Sequence, residues 1–123
     1  MKLLFTPILL LLGSLVSAQM FSDEVTILTD SDFDEKMTTD AIWVVAFYVP
    51  WCDHCTAFAP ELEAAAQDLK SHGYKIHLGA VDVSVNKKLG WKYQINSSPY
   101  VKIFFHDDED NQWIDTDYLG ERS

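Results

Sequence analysis

The two cysteines of this chain are separated by only two residues and follow directly on an apolar run. Cys52 and Cys55 are the only cysteines in the 123-residue sequence. The run over residues 42–49 is typical of a buried strand, and the residues after the cysteines carry apolar side chains at helical spacing. This order places both sulfur atoms at the N-terminus of a helix.

A helix N-terminus is a favourable place for a cysteine thiolate. The unpaired backbone N–H groups and the positive end of the helix dipole favour negative charge there, and they can lower the pKa of a thiol well below its free value of about 8.5. Cys52 is therefore the candidate nucleophile. Cys55 lies one helical turn further in, where its own helix covers it, so we expect it to resolve a mixed disulfide formed at Cys52.

Two other uses of a C-x-x-C pair are a structural disulfide and part of a metal site. A disulfide that closes so short a loop stabilises a fold little, because its effect grows with loop length. Zinc needs about four ligands, and His54 is the one nearby residue that could add a third. Redox chemistry fits the pair best, and we expect neither a metal nor a cofactor.

Composition limits the chain to one ordinary domain and argues against nucleic acid as a partner. A chain of 123 residues that is 48% hydrophobic can bury one core and is too short for two. Its formal net charge of -10 opposes binding to phosphates, which call for a basic face. The acidic residues are more simply explained as a solvated surface.

The first 18 residues have the pattern of a secretory signal peptide. Lys2 supplies a positive start, an apolar core follows over residues 3–12, and residues 16–18 form a small-residue cleavage site. A membrane anchor is the alternative, but a spanning helix needs about 20 apolar residues and this run is interrupted. We expect a signal peptide over residues 1–18 and one domain over residues 19–123, with no membrane contact after cleavage, in a compartment that permits disulfides.

The remaining chain alternates strand-like and helix-like segments, which predicts an α/β sheet layered with helices. The expected strands cover residues 25–28, 42–49, 75–83, 101–105 and 112–118, the last in a hairpin whose tip is the acidic run 107–110. A short helix capped by Asp30 or Ser31 precedes the long helix of the cysteines. A further short helix covers residues 86–93, with Leu89 and Trp91 as its apolar contacts.

Five segments occur in an order and at a spacing shared with a known family. They are Phe47-Tyr48-Val49-Pro50-Trp51-Cys52-Asp53-His54-Cys55, Phe58-Ala59-Pro60-Glu61, Ala80-Val81-Asp82-Val83, Pro99, and Tyr118-Leu119-Gly120-Glu121-Arg122. In these segments the chain resembles the thioredoxin superfamily, and within it the catalytic a-type domain of protein disulfide isomerases. The resemblance covers nearly everything after the first two dozen residues.

The resemblance implies a thioredoxin-like fold, with a central mixed β-sheet flanked by helices. In that fold a last helix follows the final hairpin. Because the sequence ends at Ser123, the C-terminal helix is expected to be absent. Pro99 resembles the cis-proline of the loop beside the cysteines, so Ser98 would pair with a substrate chain as an added strand and Trp51 would contact the same substrate. An ordinary proline at the start of a strand is the alternative for Pro99.

Two further residues resemble catalytic residues of the family. His54 resembles the usual histidine between the cysteines, which when protonated would stabilise the Cys52 thiolate and make the pair more oxidising. Arg122 resembles an arginine that can approach the resolving cysteine and lower its pKa. The alternatives are a solvated loop histidine and a surface charge.

The sequence departs from the family at three positions. Asp53 stands where glycine is usual, and we expect its charge to repel a Cys52 thiolate and make the pair less oxidising. Ala46 replaces a buried carboxylate that takes the proton from the resolving thiol, and Ala80 replaces the lysine that pairs with that acid in some relatives. Slow deprotonation of Cys55 and long-lived mixed disulfides are the implied consequences.

These features lead to two hypotheses about function. The first is a thiol–disulfide oxidoreductase and isomerase in the lumen of the endoplasmic reticulum, or secreted, that acts on unfolded or partly folded secretory proteins and exchanges electrons with a lumenal oxidase or reductase. The second is a thioredoxin-fold chaperone or adaptor that binds cysteine-containing chains with weak turnover. A third possibility is an incomplete gene product without an independent fold.

Overall fold

The computed structural model describes residues 20–118, which form five strands and three helices. In chain order these are β1 (Thr26–Ile27), α1 (Phe33–Lys36), β2 (Ile42–Tyr48), α2 (Asp53–Ser71), β3 (Ile76–Asp82), α3 (Lys87–Lys92), β4 (Tyr100–Asp107) and β5 (Gln112–Asp117). The predicted signal peptide and the predicted absence of a last helix concern residues that lie outside this range. Within residues 20–118, no helix is both long and apolar enough to cross a lipid bilayer.

The strands form one mixed sheet in the order β1-β3-β2-β4-β5. Strands β1, β3 and β2 are parallel, and β4 runs antiparallel to both β2 and β5. Strand β2 is the central strand. Because both of its faces are covered, its sequence is apolar at nearly every position and does not alternate with polar residues. The α/β class with a central mixed sheet, expected from the sequence, is confirmed.

Two apolar clusters lie on opposite faces of this sheet. Strand β2 supplies Ala46 to the cluster beneath α2, and it supplies Val45 and Phe47 to the cluster that contains Phe33 of α1 and Leu89 of α3. Successive side chains of a strand point to opposite faces. Helix α2 therefore covers one face of the sheet, while α1 and α3 cover the other.

The prediction that Asp30 or Ser31 caps α1 is wrong. The cap position is held by Asp32, whose side chain makes no capping hydrogen bond to that helix. The carboxylate of Asp30 instead accepts hydrogen bonds from the backbone N–H groups of Lys88 at 3.2 Å and Leu89 at 2.9 Å. Those N–H groups belong to the first turn of α3 and have no partner within it, so Asp30 fixes the start of α3 to the loop after β1.

The prediction that Trp91 contacts the core is also wrong. Leu89 is buried with 5% of its surface exposed, whereas Trp91 is 84% exposed. Residues two apart on a helix do not share a face. Since Leu89 faces the sheet, Trp91 faces solvent.

Strands β4 and β5 form the predicted hairpin, and its turn over residues 108–111 contains three of the four acidic residues of the run 107–110, while Asp107 ends β4. The most buried charge of the hairpin is Lys102, whose ammonium group donates hydrogen bonds to Asp115 at 3.1 Å and Asp117 at 2.6 Å. Burial alone would lower the pKa of Lys102, but the hydrogen bonds to the two carboxylates outweigh burial and raise that pKa.

Candidate active site

Cys52 and Cys55 form a disulfide at the N-terminus of α2, with their Cα atoms 5.2 Å apart. Cys52 is the N-cap residue, with φ -91° and ψ 111°. Its sulfur accepts a hydrogen bond from the backbone N–H of Cys55 at 3.1 Å. The sulfur thus occupies the place that a serine or aspartate oxygen usually takes at a helix start, where the helix dipole favours a thiolate after reduction.

The two cysteines differ in their exposure. Cys52 is partly exposed, whereas Cys55 is 1% exposed beneath its own helix. A sulfur atom of another chain can therefore approach Cys52 but cannot approach Cys55 without movement of α2. This asymmetry suits attack at Cys52 and resolution by Cys55.

The loop before β4 lies against the cysteine pair. The Ser98–Pro99 peptide bond is cis, as the resemblance implied, and the carbonyl oxygen of Ser98 lies 3.6 Å from the Sγ of Cys52. Strand β2 leads into the cysteines, and β4 leaves the loop beside it because Phe47 and Tyr100 are register partners. The fold thus brings Ser98 and Pro99 to the sulfur from 46 residues away.

Three other predicted site residues lie on the solvent side of the pair. Trp51 is 74% exposed, and Asp53 and His54 are also exposed. An indole beside Cys52 offers a large apolar contact surface to a bound chain. Asp53 and His54 place one acid and one base within the first turn of α2. Arg122 lies outside the described residues, and within residues 20–118 no three His, Cys, Asp or Glu residues are arranged to hold a metal ion.

Apolar side chains occupy the place where the resemblance to the family had implied a buried carboxylate, at position 46. Ala46 and Ala80 are direct register partners on β2 and β3, with 1% and 0% of their surfaces exposed. They share an apolar cluster with Phe58 and Ala59 of α2. Neither alanine can accept a proton, so the buried side of the disulfide has no acid or base at these two positions.

Sequence reasoning missed the surface of α3 that adjoins the Ser98–Pro99 loop. Lys87 and Trp91 line a cavity there together with Asn96. The spacing of Lys87 and Trp91 could have indicated this surface, because residues four apart share one face of a helix. The expectation that Trp91 is a core residue concealed it.

Comparisons with known proteins identify the family. The family model described as Thioredoxin matches residues 24–122. The probable protein disulfide-isomerase A4 of Caenorhabditis elegans is 46% identical over 81 residues, which are 66% of this chain and 13% of that protein. The protein disulfide-isomerase A6 homolog of Caenorhabditis elegans is 38% identical over 102 residues, which are 82% of this chain and 22% of that protein.

Among solved structures, the Trx4 domain of ERdj5 superposes with a TM-score of 0.71 at 30% identity, over 80% of this chain and 85% of that domain. The chain thus spans less than a quarter of the two nematode relatives, while it matches most of one solved thioredoxin domain. Both relatives are named protein disulfide-isomerases. With the family model matched over residues 24–122, the chain belongs to the thioredoxin family.

Proposed function

We propose that this chain is a thiol–disulfide oxidoreductase and isomerase of the secretory pathway, resident in the lumen of the endoplasmic reticulum. Its clients are unfolded or partly folded secretory proteins whose disulfides it forms, reduces or rearranges. The observation that carries the proposal is the Cys52–Cys55 disulfide, approachable at one sulfur only and set 3.6 Å from the Ser98 carbonyl at a helix N-terminus. The names of the relatives support it.

The oxidised pair accepts two electrons from a client dithiol in two exchanges. A client thiolate attacks the Sγ of Cys52, so a Cys52–client disulfide forms as the Cys52–Cys55 bond breaks, and Cys55 leaves as a thiolate that takes up a proton. A second client thiolate attacks the client sulfur of this mixed disulfide. The client disulfide then forms and Cys52 leaves as a thiolate, which the helix N-terminus stabilises.

The reverse sequence reduces or rearranges a client disulfide. The Cys52 thiolate attacks a client sulfur, and Cys55 then attacks Cys52 to release the client thiol. A lumenal oxidase or reductase restores the starting state of the pair. Trp51, Ser98 and Pro99 hold the client, since an exposed indole and a loop backbone beside the sulfur suit an extended chain.

Three charged residues tune the pair in this proposal. His54, when protonated, stabilises the Cys52 thiolate, and Asp53 opposes that effect by repulsion. Arg122 lowers the pKa of the resolving thiol.

The second candidate function is a chaperone or adaptor that binds cysteine-containing chains and turns over slowly. The buried pair Ala46 and Ala80 favours it, because the resolving thiol has no proton acceptor at either position.

Turnover of a protein with scrambled disulfides separates the two candidates. The full chain is compared with two variants. Cys55→Ser retains the nucleophile and should trap clients on Cys52. Cys52→Ser lacks the nucleophile and should neither trap clients nor turn over. Many turnovers per molecule, abolished in both variants, support the enzyme. Trapping by Cys55→Ser with negligible turnover by the parent supports the chaperone or adaptor, and a parent chain that exchanges with no disulfide overturns both.

A further inference from the structure

Helix α3 concentrates positive charge in an acidic protein. Three of the seven lysines within residues 20–118 lie on its six residues, at positions 87, 88 and 92. The other four form ion pairs with nearby carboxylates: Lys36, Lys70, Lys75 and Lys102. Within the described residues, the ammonium groups on α3 form no ion pair, and that of Lys92 lies 5.3 Å from the centre of the Tyr93 ring. Apart from the Asp30 carboxylate bound to the first turn of α3, these three ammonium groups are available to carboxylates of another chain, on a protein whose net charge of -10 repels them elsewhere.

A cavity of about 480 Å³ opens beside these lysines and is called the α3 groove here. Its lining includes Val83, Lys87, Trp91, Gln94, Ile95 and Asn96. Lys87 and Trp91 lie four residues apart on one side of α3. The groove thus combines apolar side chains with the charge of Lys87. A separate depression next to it shares Lys87 and Trp91 and is also lined by Lys88 and Lys92, so all three lysines lie close to the groove.

The α3 groove is linked to the cysteine site through the loop before β4, since Asn96 lines the groove. Asn96 is two residues before Ser98, so their Cα atoms are at most about 7 Å apart, and the Ser98 carbonyl lies 3.6 Å from the Cys52 sulfur. A client strand beside this loop advances about 3.3 Å per residue. A client extended along this loop would therefore place residues about two to five positions from its reacting cysteine over the α3 groove.

We infer that the α3 groove binds an acidic stretch of the client chain and so selects cysteines that have Asp or Glu about two to five residues away. This inference rests on the proposed function and names the client chemistry that the same site prefers. The net negative charge of the protein repels an acidic client elsewhere, so attraction confined to the groove also orients the client as it approaches.

The test uses synthetic peptides with one cysteine that carries a thionitrobenzoate group in a mixed disulfide. The Cys52 thiolate attacks the peptide sulfur, a Cys52–peptide disulfide forms, and the coloured thionitrobenzoate leaves as a thiolate. One disulfide is exchanged for another, so no further oxidant is needed. The matched peptides carry Glu, Gln or Lys at the positions over the groove. The protein is the reduced full chain with Cys55→Ser, which cannot resolve the Cys52–peptide disulfide, so each reaction stops once that disulfide has formed.

We expect the Glu peptide to react about three- to tenfold faster than the Gln peptide, as a few exposed charge pairs allow, and the Lys peptide to react most slowly. The Glu advantage should shrink from about 0.01 M to about 1 M salt, where the screening length falls from roughly 30 to 3 Å. The variant Lys87→Gln/Lys88→Gln should bring the ratio of Glu to Gln rates close to one.

The matched control Lys70→Gln/Lys75→Gln removes the same charge at the opposite end of the sheet. Lys70 lies about 25 Å along α2 from the cysteine end, and Lys75 precedes β3, whose far end leads into α3. The control should keep the Glu preference. A preference that survives Lys87→Gln/Lys88→Gln, or that the control also loses, overturns the inference while the proposed function stands.

Two other outcomes also overturn the inference. One is self-association of the parent chain that Lys87→Gln/Lys88→Gln abolishes, which would assign the groove to the acidic hairpin tip of a second copy. The other is a reduced Cys55→Ser chain that reacts with none of the peptides, which would overturn the proposed function as well.

Discussion

An Ala46→Asp substitution would place a proton acceptor on the buried side of the cysteine pair, at a cost in stability that the structure sets. Ala46 is 1% exposed and faces Ala80, so the new carboxylate has no cation opposite it. Burial of this kind raises a carboxyl pKa by roughly three units or more, from about 3.9 to about 7. Three units correspond to about 4 kcal/mol, which agrees with the 3–5 kcal/mol typical of an unpaired buried charge.

That cost depends on pH in a defined direction. Because the folded-state pKa is raised, the penalty begins as the pH rises past about 3.9 and is complete above about 7. A domain of ordinary stability, about 5–15 kcal/mol, remains folded but weakened. Urea denaturation of parent and variant at two pH values measures the penalty.

The functional gain is faster resolution of the mixed disulfide, since a carboxylate with a pKa near 7 can take the proton of the Cys55 thiol. General-base catalysis contributes about a hundredfold or more when the base is well placed. We therefore expect the release of a peptide from Cys52 to accelerate at least about tenfold, with a rise in rate near pH 7. Acid quenching of a single turnover, followed by mass spectrometry, gives the fraction of peptide still bound.

Ala46→Asn is the matched control, because it is equal in size and polar but accepts no proton at neutral pH. Equal acceleration by Ala46→Asn, or an unchanged release rate in a folded Ala46→Asp protein, would refute the reasoning. If Ala46→Asp does not fold, Ala46→Asp/Ala80→Lys pairs the charge across the two strands, and a parental release rate in that folded protein refutes it equally.

Three further predictions concern other parts of the molecule. Asp30→Ala should lower the unfolding free energy by about 1–2 kcal/mol because it removes both hydrogen bonds at the start of α3; an equal loss in the exposed control Asp23→Ala, measured in urea, would count against this. Stability should fall as the pH rises above 10.5, the ordinary pKa of Lys102, because the raised folded-state pKa gives a stabilisation that is complete below 10.5 and is lost as the pH rises through the folded-state pKa; a flat alkaline limb in denaturation, or one unchanged by Lys102→Met, contradicts it. Asp53→Gly should make the cysteine pair more oxidising by removing a charge near the Cys52 thiolate, and an unchanged or lower reduction potential against glutathione would show that repulsion is not the cause.

The parts of the fold that the sequence predicted have local signals. The apolar run of β2 indicated a central strand, and Gly73, with φ 91°, follows the end of α2, where glycine is common because it adopts a positive φ without strain. The cysteine pair at the start of α2 has the same local origin. The cis bond before Pro99 came from the family resemblance alone, because nothing in residues 96–99 distinguishes it from a proline at the start of a strand.

The parts that were missed depend on contacts between distant segments. Asp30 and the start of α3 are 58 and 59 residues apart, so no local pattern could show that this aspartate caps a helix other than the one that follows it. The error at Trp91 was of another kind. Trp91 was expected to be buried because tryptophan generally is. Its spacing of two residues from Leu89 was the stronger signal, because it places Trp91 on another face of α3.

The groups proposed for the two halves of the reaction lie on two sides of the cysteine pair, one exposed to solvent and one buried beneath α2. In the proposed reaction, attack at Cys52 depends on the exposed side of the pair, where the indole, the loop and the α3 groove would meet the client. Resolution depends on the buried side, where Cys55 is covered by α2 and where Ala46 and Ala80 provide no base. Helix α3 and Ala46 belong to clusters on opposite faces of the sheet. Substitutions on α3 and at Ala46 therefore share no contact, and their effects on the reaction should be nearly additive. The rate of attack at Cys52 and the lifetime of the mixed disulfide are then set by different residues. One domain can combine a strong preference among clients with slow release of the client. A single measurement of turnover would report that combination only as weak activity.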